Sequence, residues 1–336
     1  MQWYTIEDDV SPVISCRVRL ARNCKNYNFF VKLEHAEAHQ MIQEIVGNIN
    51  LQNYINFSFT DILQKTDIEK LSLLEHHKIS LDLLRGEQPR AVLSSADDTV
   101  HIMLNEEDHI RIQCIAPGKN IQRAYTTADY VDNLIEEKIE YAYDETVGYL
   151  TSCPSNIGTG MRASYMVHLP MIEKTGKLQG IVNTLSRAGM TIRGIYGESS
   201  GSIGHIYQIS NQCSLGRDED EIINILENLT NQIVETEQET LQNQIKKHKT
   251  YFEDQVYRAF GILKHCRQID IKEARKLLST LRLGVVSGII KNVSRMSIYA
   301  IMMNIEYGNL KLNMGVNMPD SEIDILRAEY IRNNLL

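Results

Sequence analysis

The sequence predicts an α+β protein: a mostly antiparallel sheet flanked by helices, followed by a small all-helical C-terminal domain. Three observations predict it. Short β-type runs recur between residues 91 and 212, helical periodicity fills the gaps between them, and strand-like texture stops at Leu215-Gly216.

From about Glu34 to Ile49 the spacing of Ala38, Met41, Ile42, Ile45 and Val46 is helical. Within it His35 and His39 stand at i and i+4, a metal-binding spacing. The chain lacks the glutamate of H-E-x-x-H and a third ligand in view, so two surface histidines are the simpler reading. The runs AVLSS (91–95), TVHIMLN (99–105), HIRIQCIAP (109–117), TIRGIYG (191–197) and HIYQISNQ (205–212) follow, with a helix between them from Thr126 to Ala142. Alternation in HIRIQC puts Ile110 and Ile112 on one face and Arg111 on the other. From Asp218 to about Leu263 the pattern is helical, with Ile222, Leu226, Leu229 and Ile233 as its stripe and Gly261 as its interruption. Residues 235–250 are polar on nearly every face, as suits a solvated helix or linker, so the domain boundary is expected there, giving 1–245 and 246–336. Beyond it Asp270 can cap a helix with Glu273 at the third position; a second helix includes Met302 and Met303, read as core or oligomer contact, and a last one follows Pro319.

The 336 residues carry a formal charge of −8 and are 43% hydrophobic. That is enough for a sizeable core and argues against a protein that coats nucleic acid, which needs clustered Lys and Arg. The six cysteines, Cys16, Cys24, Cys114, Cys153, Cys213 and Cys266, form no C-x-x-C pair, so reduced thiols in a cytoplasmic protein are expected. No basic-then-apolar leader opens the chain, and no run reaches the ~18 apolar residues of a membrane span. P-loop and H-R-D or D-F-G motifs are missing, and GESSGSIG (197–204) fits neither phosphate-loop pattern.

Arginines recur in short motifs: Arg17, Arg19 and Arg22 in SCRVRLAR, Arg111 in HIRIQC, Arg162 in TGMRAS and Arg193 in TIRGIYGE. Any one alone is a surface arginine with a salt-bridge partner. As a set converging from several strands they could clamp a nucleotide triphosphate and neutralise a phosphoryl group in transfer. Glu107 and Glu198 each lie beside a strand carrying one of these arginines. Carboxylates there repel an anion, so they make sense if the acceptor is a cation, and a guanidinium fits two carboxylates. Cys153, before Pro154 and nine residues ahead of Arg162, is either a thiol near a cation or a small buried hydrophobe.

In that order SCRVRLAR, NEEDHIRI, YLTSCPSNIGTGMRAS and RGIYGE closely resemble the ATP:guanido phosphotransferase (phosphagen kinase) family, specifically its bacterial protein-arginine kinase branch. The resemblance runs from about Ser11 to Gln212 and reaches the helical tail more loosely. It implies a phosphagen-kinase-like catalytic domain, ATP as donor with Mg2+, and an ATP clamp of Arg17, Arg19, Arg111, Arg162 and Arg193, with His77 near the adenine. It extends nucleotide binding to Ser15, Cys16 and Val18, to Ala163, Ser164, Tyr165 and Met166, and to Gly194, Ile195, Tyr196, Gly197 and Glu198. Glu107 and Glu198 match the carboxylates that hold the acceptor guanidinium, Cys153 the thiol beside it, and Glu106 a position near the magnesium hydration shell.

The motif SCRVR begins at Ser15, leaving no room for the helical N-terminal domain of metabolite kinases, and a helical domain follows instead; both features favour protein arginine as acceptor. The branch implies protein substrates with exposed arginines, an activator protein, a Clp ATPase or protease acting on marked repressors and damaged proteins in the stress response, and a homodimer. Departures exist: Cys16 stands where the branch shows a second serine. In the tail's phosphoarginine-reading R-D-x-x-R-A motif, Ile323 replaces the first arginine, while Asp324, Arg327 and Ala328 match. Two other readings are a kinase of free arginine or another guanidino metabolite, and a non-catalytic phosphoarginine-binding adaptor. The filled clamp and carboxylate positions speak against the adaptor.

Overall fold

The computed structural model describes residues 2–5, 11–50, 55–195, 202–291, 293, 297–314 and 319–335. A 3-10 turn (Trp3–Thr5) precedes strand β1 (Val13–Arg22), helix α1 (His35–Asn50), β2 (Phe57–Asp61), α2 (Asp67–Glu75), α3 (Leu81–Arg85), β3 (Ala91–Ser95), β4 (Val100–Leu104), β5 (Ile110–Pro117) and α4 (Ile121–Glu136). The hairpin β6 (Tyr143–Asp144) and β7 (Gly148–Tyr149) leads to β8 (Met161–His168), α5 (Pro170–Lys174), α6 (Leu178–Arg187), β9 (Met190–Gly194) and β10 (Ile206–Asn211). The rest is helical: α7 (Glu219–Lys247), α8 (Lys249–His265), α9 (Ile271–Val286), α10 (Ile298–Asn304), α11 (Tyr307–Met314) and α12 (Ile323–Asn334).

Among the described residues the main sheet has eight strands in the order β2-β3-β4-β5-β1-β8-β10-β9, each pair antiparallel. The ten-residue β1 lies inside it, paired with β5 on one side and β8 on the other. Its alternation sorts the whole sheet, because residues directly opposite in an antiparallel pair share a face. Cys16, Val18 and Leu20 point with Ile112, Cys114, Ala163 and Tyr165 into a core covered by α1, α4 and α7. Ser15, Arg17 and Arg19 point the other way. Helices of the C-terminal region cover part of that second face, in an apolar cluster that joins Ile115, Ile206 and Trp3 to Leu278, Tyr299 and Ile331.

Polar ties fasten this helical region to the sheet. Arg282 donates to His168 Nδ1 (3.1 Å) and to the Ser11 carbonyl (2.6 Å), so His168 donates from Nε2 to Ser279 Oγ at 2.7 Å. The Glu75 carboxylate at the end of α2 accepts from the backbone N–H of Gly308 (3.0 Å) and Asn309 (2.8 Å), satisfying donors at the start of α11. Glycine is required at Gly308, where a Cβ would meet Ser72 N at 2.8 Å.

The elements expected from periodicity are present, with informative differences. β2 and β8 fall outside the expected runs although both alternate; β8 carries Arg162 and Ser164 between apolar residues, and that polar side faces the site. The helix expected from Thr126 begins at Ile121 and ends at Glu136. The long helix breaks at His248, and Gly261 is accommodated inside α8. Residues 235–247 are helix with one side buried: Glu237, Thr240 and Leu241 are covered, and Glu237 accepts from the N–H groups of Met171 and Ile172 (both 2.8 Å) at the start of α5.

Burial pushes the carboxyls of Glu75 and Glu237 up to about 7, against the pull of the backbone donors each accepts. The folded values exceed the unfolded ones, so the folded state keeps protons that the unfolded chain has lost between about pH 4.5 and 7. Stability from these groups is therefore present in full below that window and declines as pH rises through it. Thermal unfolding followed from pH 5 to pH 8 should show that decline, and Glu237→Gln should make it shallower; an unchanged slope in the variant would remove Glu237 from the account.

Candidate active site

On the second face of the sheet, strand register gathers guanidinium groups. Arg19 lies opposite Arg162 on β8 and Gln113 on β5; Arg17 lies opposite Ser164 and Ile115; Arg111 comes from β5 and Arg193 from the edge strand β9, opposite Gln208. Arg17, Arg19 and Arg162 are half-buried, Arg111 is buried and Arg193 is exposed. Arg17, Arg19, Arg162 and Arg193 have no acidic partner among the described residues. The Nε atoms of Arg19 and Arg162 are buried without a hydrogen-bond acceptor among the described residues, while Arg162 Nη2 donates to Ser210 Oγ at 3.1 Å.

Burial, then the neighbouring charges of Arg111 and Arg162, lower Arg17 to about 10. Burial followed by Arg17, Arg111 and Arg162 holds Arg19 well below its usual value, and burial with Arg193 and Arg111 lowers Arg162. Desolvated like charges with open donors form an anion site, since only an added anion relieves both costs. The contiguous runs named for nucleotide binding divide by pleat: Ser15, Ser164 and Met166 share the arginine face, while the side chains of Cys16, Val18, Ala163 and Tyr165 turn into the core. Arg22 also leaves the set. It binds Asp132 through Nε (2.9 Å) and Nη2 (2.6 Å) and lies 3.5 Å over the Tyr149 ring.

The acids sit on the turn between β4 and β5. Asn105 adopts φ 57°, a left-handed conformation that asparagine tolerates, and its amide donates to the Pro89 carbonyl at 2.7 Å. The Glu106 carboxylate is buried against Arg111, accepting from Nη1 with one contact at 2.5 Å. Glu106 is thus an arginine's partner, where the resemblance implied a place near magnesium-bound water. Arg111 is raised because Glu106 outweighs its burial. Asp108 points inward: its Oδ1 accepts from Asn23 Nδ2 and from Ser152 N–H, both at 2.7 Å. Asn23 in turn accepts from the N–H of His109 at 2.9 Å. Glu107, at the tip, is partly exposed and raised above the ordinary carboxylate value by burial and by Asp108, Glu106 and Asp82, against the pull of Arg111.

The Asp108 bond to Ser152 sets the loop that carries Cys153, whose Sγ lies 3.1 Å from Ser155 Oγ, and whose thiol is partly exposed. Gly160, just before Arg162, has φ 66°, and a Cβ there would come within 2.6 Å of the Ala21 carbonyl. Only glycine lets the loop close onto β1 at that point. At the far end of the face His77, also at positive φ (60°), receives Gln113 Nε2 on its carbonyl (2.6 Å) and pairs through Nε2 with the Tyr299 hydroxyl (3.1 Å). Burial and Arg17 lower it to about 3, so it is neutral. Gly194 ends β9 and Ile195 follows it; Tyr196, Gly197 and Glu198 lie outside the described residues.

In the tail, Arg327 is 3% exposed and ion-paired with Asp324. It donates from Nε to the Ile305 carbonyl (3.1 Å) and from Nη1 to that of Ile269 (3.0 Å). Through these bonds the guanidinium ties α12 to its neighbours.

The family model for the ATP:guanido phosphotransferase C-terminal catalytic domain matches residues 37–240, and that for the protein-arginine kinase McsB C-terminal domain matches residues 249–336. The chain belongs to the ATP:guanido phosphotransferase family. It is similar to the protein-arginine kinase of Caldanaerobacter subterraneus, 42% identical with 98% of each chain covered. It is also 40% identical to that of Bacillus subtilis, with 98% of this chain and 91% of the relative covered. In fold it is similar to a lombricine kinase (TM-score 0.61, 24% identity, 70% of this chain and 69% of that one). A duplicated taurocyamine kinase from Schistosoma mansoni with bound transition state analog components matches with TM-score 0.63 at 22% identity, over 73% of this chain and 36% of that one.

In this guanido phosphotransferase, sequence reasoning missed Asn23, Gln113 and Trp3. Asn23, directly after the last arginine of SCRVRLAR, had a usable signal: a polar residue between a strand and a turn must place its amide somewhere. Removing the carboxylate charge by Glu106→Gln leaves Arg111 buried beside Arg17, Arg19 and Arg162, and should cost about 3–5 kcal/mol of stability. Tripolyphosphate should restore part of the lost unfolding temperature. A variant as stable as the parent would show that the pair does not neutralise the face.

Proposed function

We propose that this chain transfers the γ-phosphoryl group of ATP to arginine side chains of proteins. The observation that carries the proposal is the pairing of an uncompensated guanidinium face with a partly exposed carboxylate, Glu107, at its end: an anionic donor lies on the first, and a cationic acceptor meets the second. The relatives at about 40% identity over nearly the whole chain, named protein-arginine kinases, support protein arginine as the acceptor.

In the reaction the bond between the γ-phosphorus and the bridging oxygen breaks, ADP departs, and an N–P bond forms to the acceptor Nη. The proton leaving that nitrogen goes to Glu107. A guanidinium has a pKa above ~12, so it is protonated at neutral pH and is a weak nucleophile, and placement carries the rate. Glu107 orients the acceptor and, with its raised value, accepts the proton at neutral pH. Glu198 is assigned the second hold on the guanidinium, and Cys153 a place beside it. Arg17, Arg19, Arg111, Arg162 and Arg193 take the phosphates. The site fits a magnesium ion held mainly by nucleotide phosphates and water, with the partly exposed Glu107 as an acceptor for its water shell; the ion would neutralise phosphate charge.

By the same family resemblance we assign residues 1–245 to catalysis and 246–336 to a helical dimerisation domain. An activator protein and a Clp protease are assigned as partners in a cytoplasmic stress response. The two family models, ending at 240 and beginning at 249, support the division. No described helix is long and apolar enough to cross a membrane.

Phosphorus NMR after incubation with ATP and an unfolded model protein should show an acid-labile phosphoramidate, with free arginine a poor acceptor; efficient transfer to free arginine alone would favour a metabolite kinase. Glu107→Ala should abolish transfer while calorimetry shows ATP binding intact. Arg162→Ala should weaken ATP binding and lower the rate by roughly 10²–10³, the scale of one lost preorganised donor. The parent rate should fall as pH drops through the raised Glu107 value, since the protonated acid cannot accept a proton.

A further inference from the structure

The acceptor end of the cleft is fixed by Asn23, Asp108 and Ser152 at the C-terminal end of β1. A triphosphate lying along Arg19 and Arg17 therefore sends its base toward Ser15, about 13 Å from Arg19 at ~3.3 Å per strand residue. That end holds a recess whose lining includes Ser15, Arg17, Ile115, Ser164 and Gln208 on the strands, with His77 and Trp3. The void left inside it is about 10 Å³, room for about one water and none for a purine.

The walls differ in how they are held. Ser15, Arg17, Ser164 and Gln208 stand on strands laddered on both sides, and the His77 carbonyl is bonded by Gln113. Trp3 belongs to a three-residue 3-10 turn fastened by side chains: Ser297 Oγ donates to the Tyr4 carbonyl (2.8 Å), and Gln2 donates to Asp98 (3.1 Å). Its ring centroid lies 6.4 Å from that of His77 and 6.1 Å from that of Tyr299. The indole is 2% exposed, and its buried Nε1–H has no acceptor among the described residues.

We propose that Trp3 is the movable wall of the nucleotide-base subsite, which the purine must shift to enter and against which it then packs. The inference rests on the assignment of the arginine face to nucleotide phosphates and adds to it a base-discriminating residue from the N-terminal turn. Because that turn is wedged between His77 and Tyr299, entry of the base also loosens its contact with α10.

Trp3 is the only tryptophan in the chain, so intrinsic emission reports it directly. Magnesium ATP should change the emission saturably, whereas magnesium tripolyphosphate, which fills the arginine face without a base, should leave it unchanged. Calorimetry run alongside separates the two claims: no ATP binding overturns the phosphate assignment itself. ATP binding without an emission change, or an equal change with tripolyphosphate, overturns the role of Trp3. Trp3→Ala should bind ATP several-fold more tightly with tripolyphosphate affinity unaltered; unchanged or weaker ATP affinity in a folded variant contradicts the movable wall. Should that variant fail to fold, the emission titration of the parent still decides.

Discussion

The mutual repulsion of desolvated guanidiniums on one face of the sheet is the constraint on which the rest of the site depends. Arg17, Arg19 and Arg162 are brought together by antiparallel register; burial lowers all three, Arg111 adds to each, and Arg162 further lowers both Arg17 and Arg19. A fold tolerates this because β1, inside the sheet, is laddered on both sides and packs its other face into the main core. The stability lost on one side of the strand is offset by burial on the other. Arg111 is the exception that sets the boundary of the cationic field, since Glu106 neutralises it.

Charge separation between donor and acceptor then follows from three neighbouring acids with different duties. Glu106 faces an arginine, Asp108 braces two loops, and Glu107 is left at the tip. The brace links strand end, acid turn and thiol loop through a single asparagine, Asn23, so the acceptor side is held as one unit. The opposite end of the cleft is built differently, from a histidine in a left-handed conformation and a short N-terminal turn, and it touches the C-terminal helices.

Much of this was legible in the sequence. Period-two runs located the strands because one side of each is buried in the core, and the arginine motifs stood at alternate positions where pleating gathers them. The pleat also divides the side chains of the contiguous motifs. A contiguous motif such as SCRVR or RASYM cannot send every side chain to one ligand, so Cys16, Val18, Ala163 and Tyr165 went to the core. β8 alternates in the same way, with Arg162 and Ser164 between Met161, Ala163 and Tyr165. Arg22 looked like its neighbours, yet Asp132, more than a hundred residues away, claims it. Trp3 gave no signal at all, since its surroundings come from His77 and Tyr299, which only the tertiary fold assembles. The tail motif matched in letters at Asp324 and Arg327, but burial by distant carbonyls is invisible in sequence.

The central claim, that like charges are held together to receive phosphates, is tested most directly by thermal unfolding of Arg19→Gln beside the parent, with and without tripolyphosphate at constant ionic strength. The account predicts that the variant is the more stable protein without ligand, because one desolvated repelling charge is gone, and that it loses most of the ligand-induced rise. A less stable variant with the parent's full rise would contradict it.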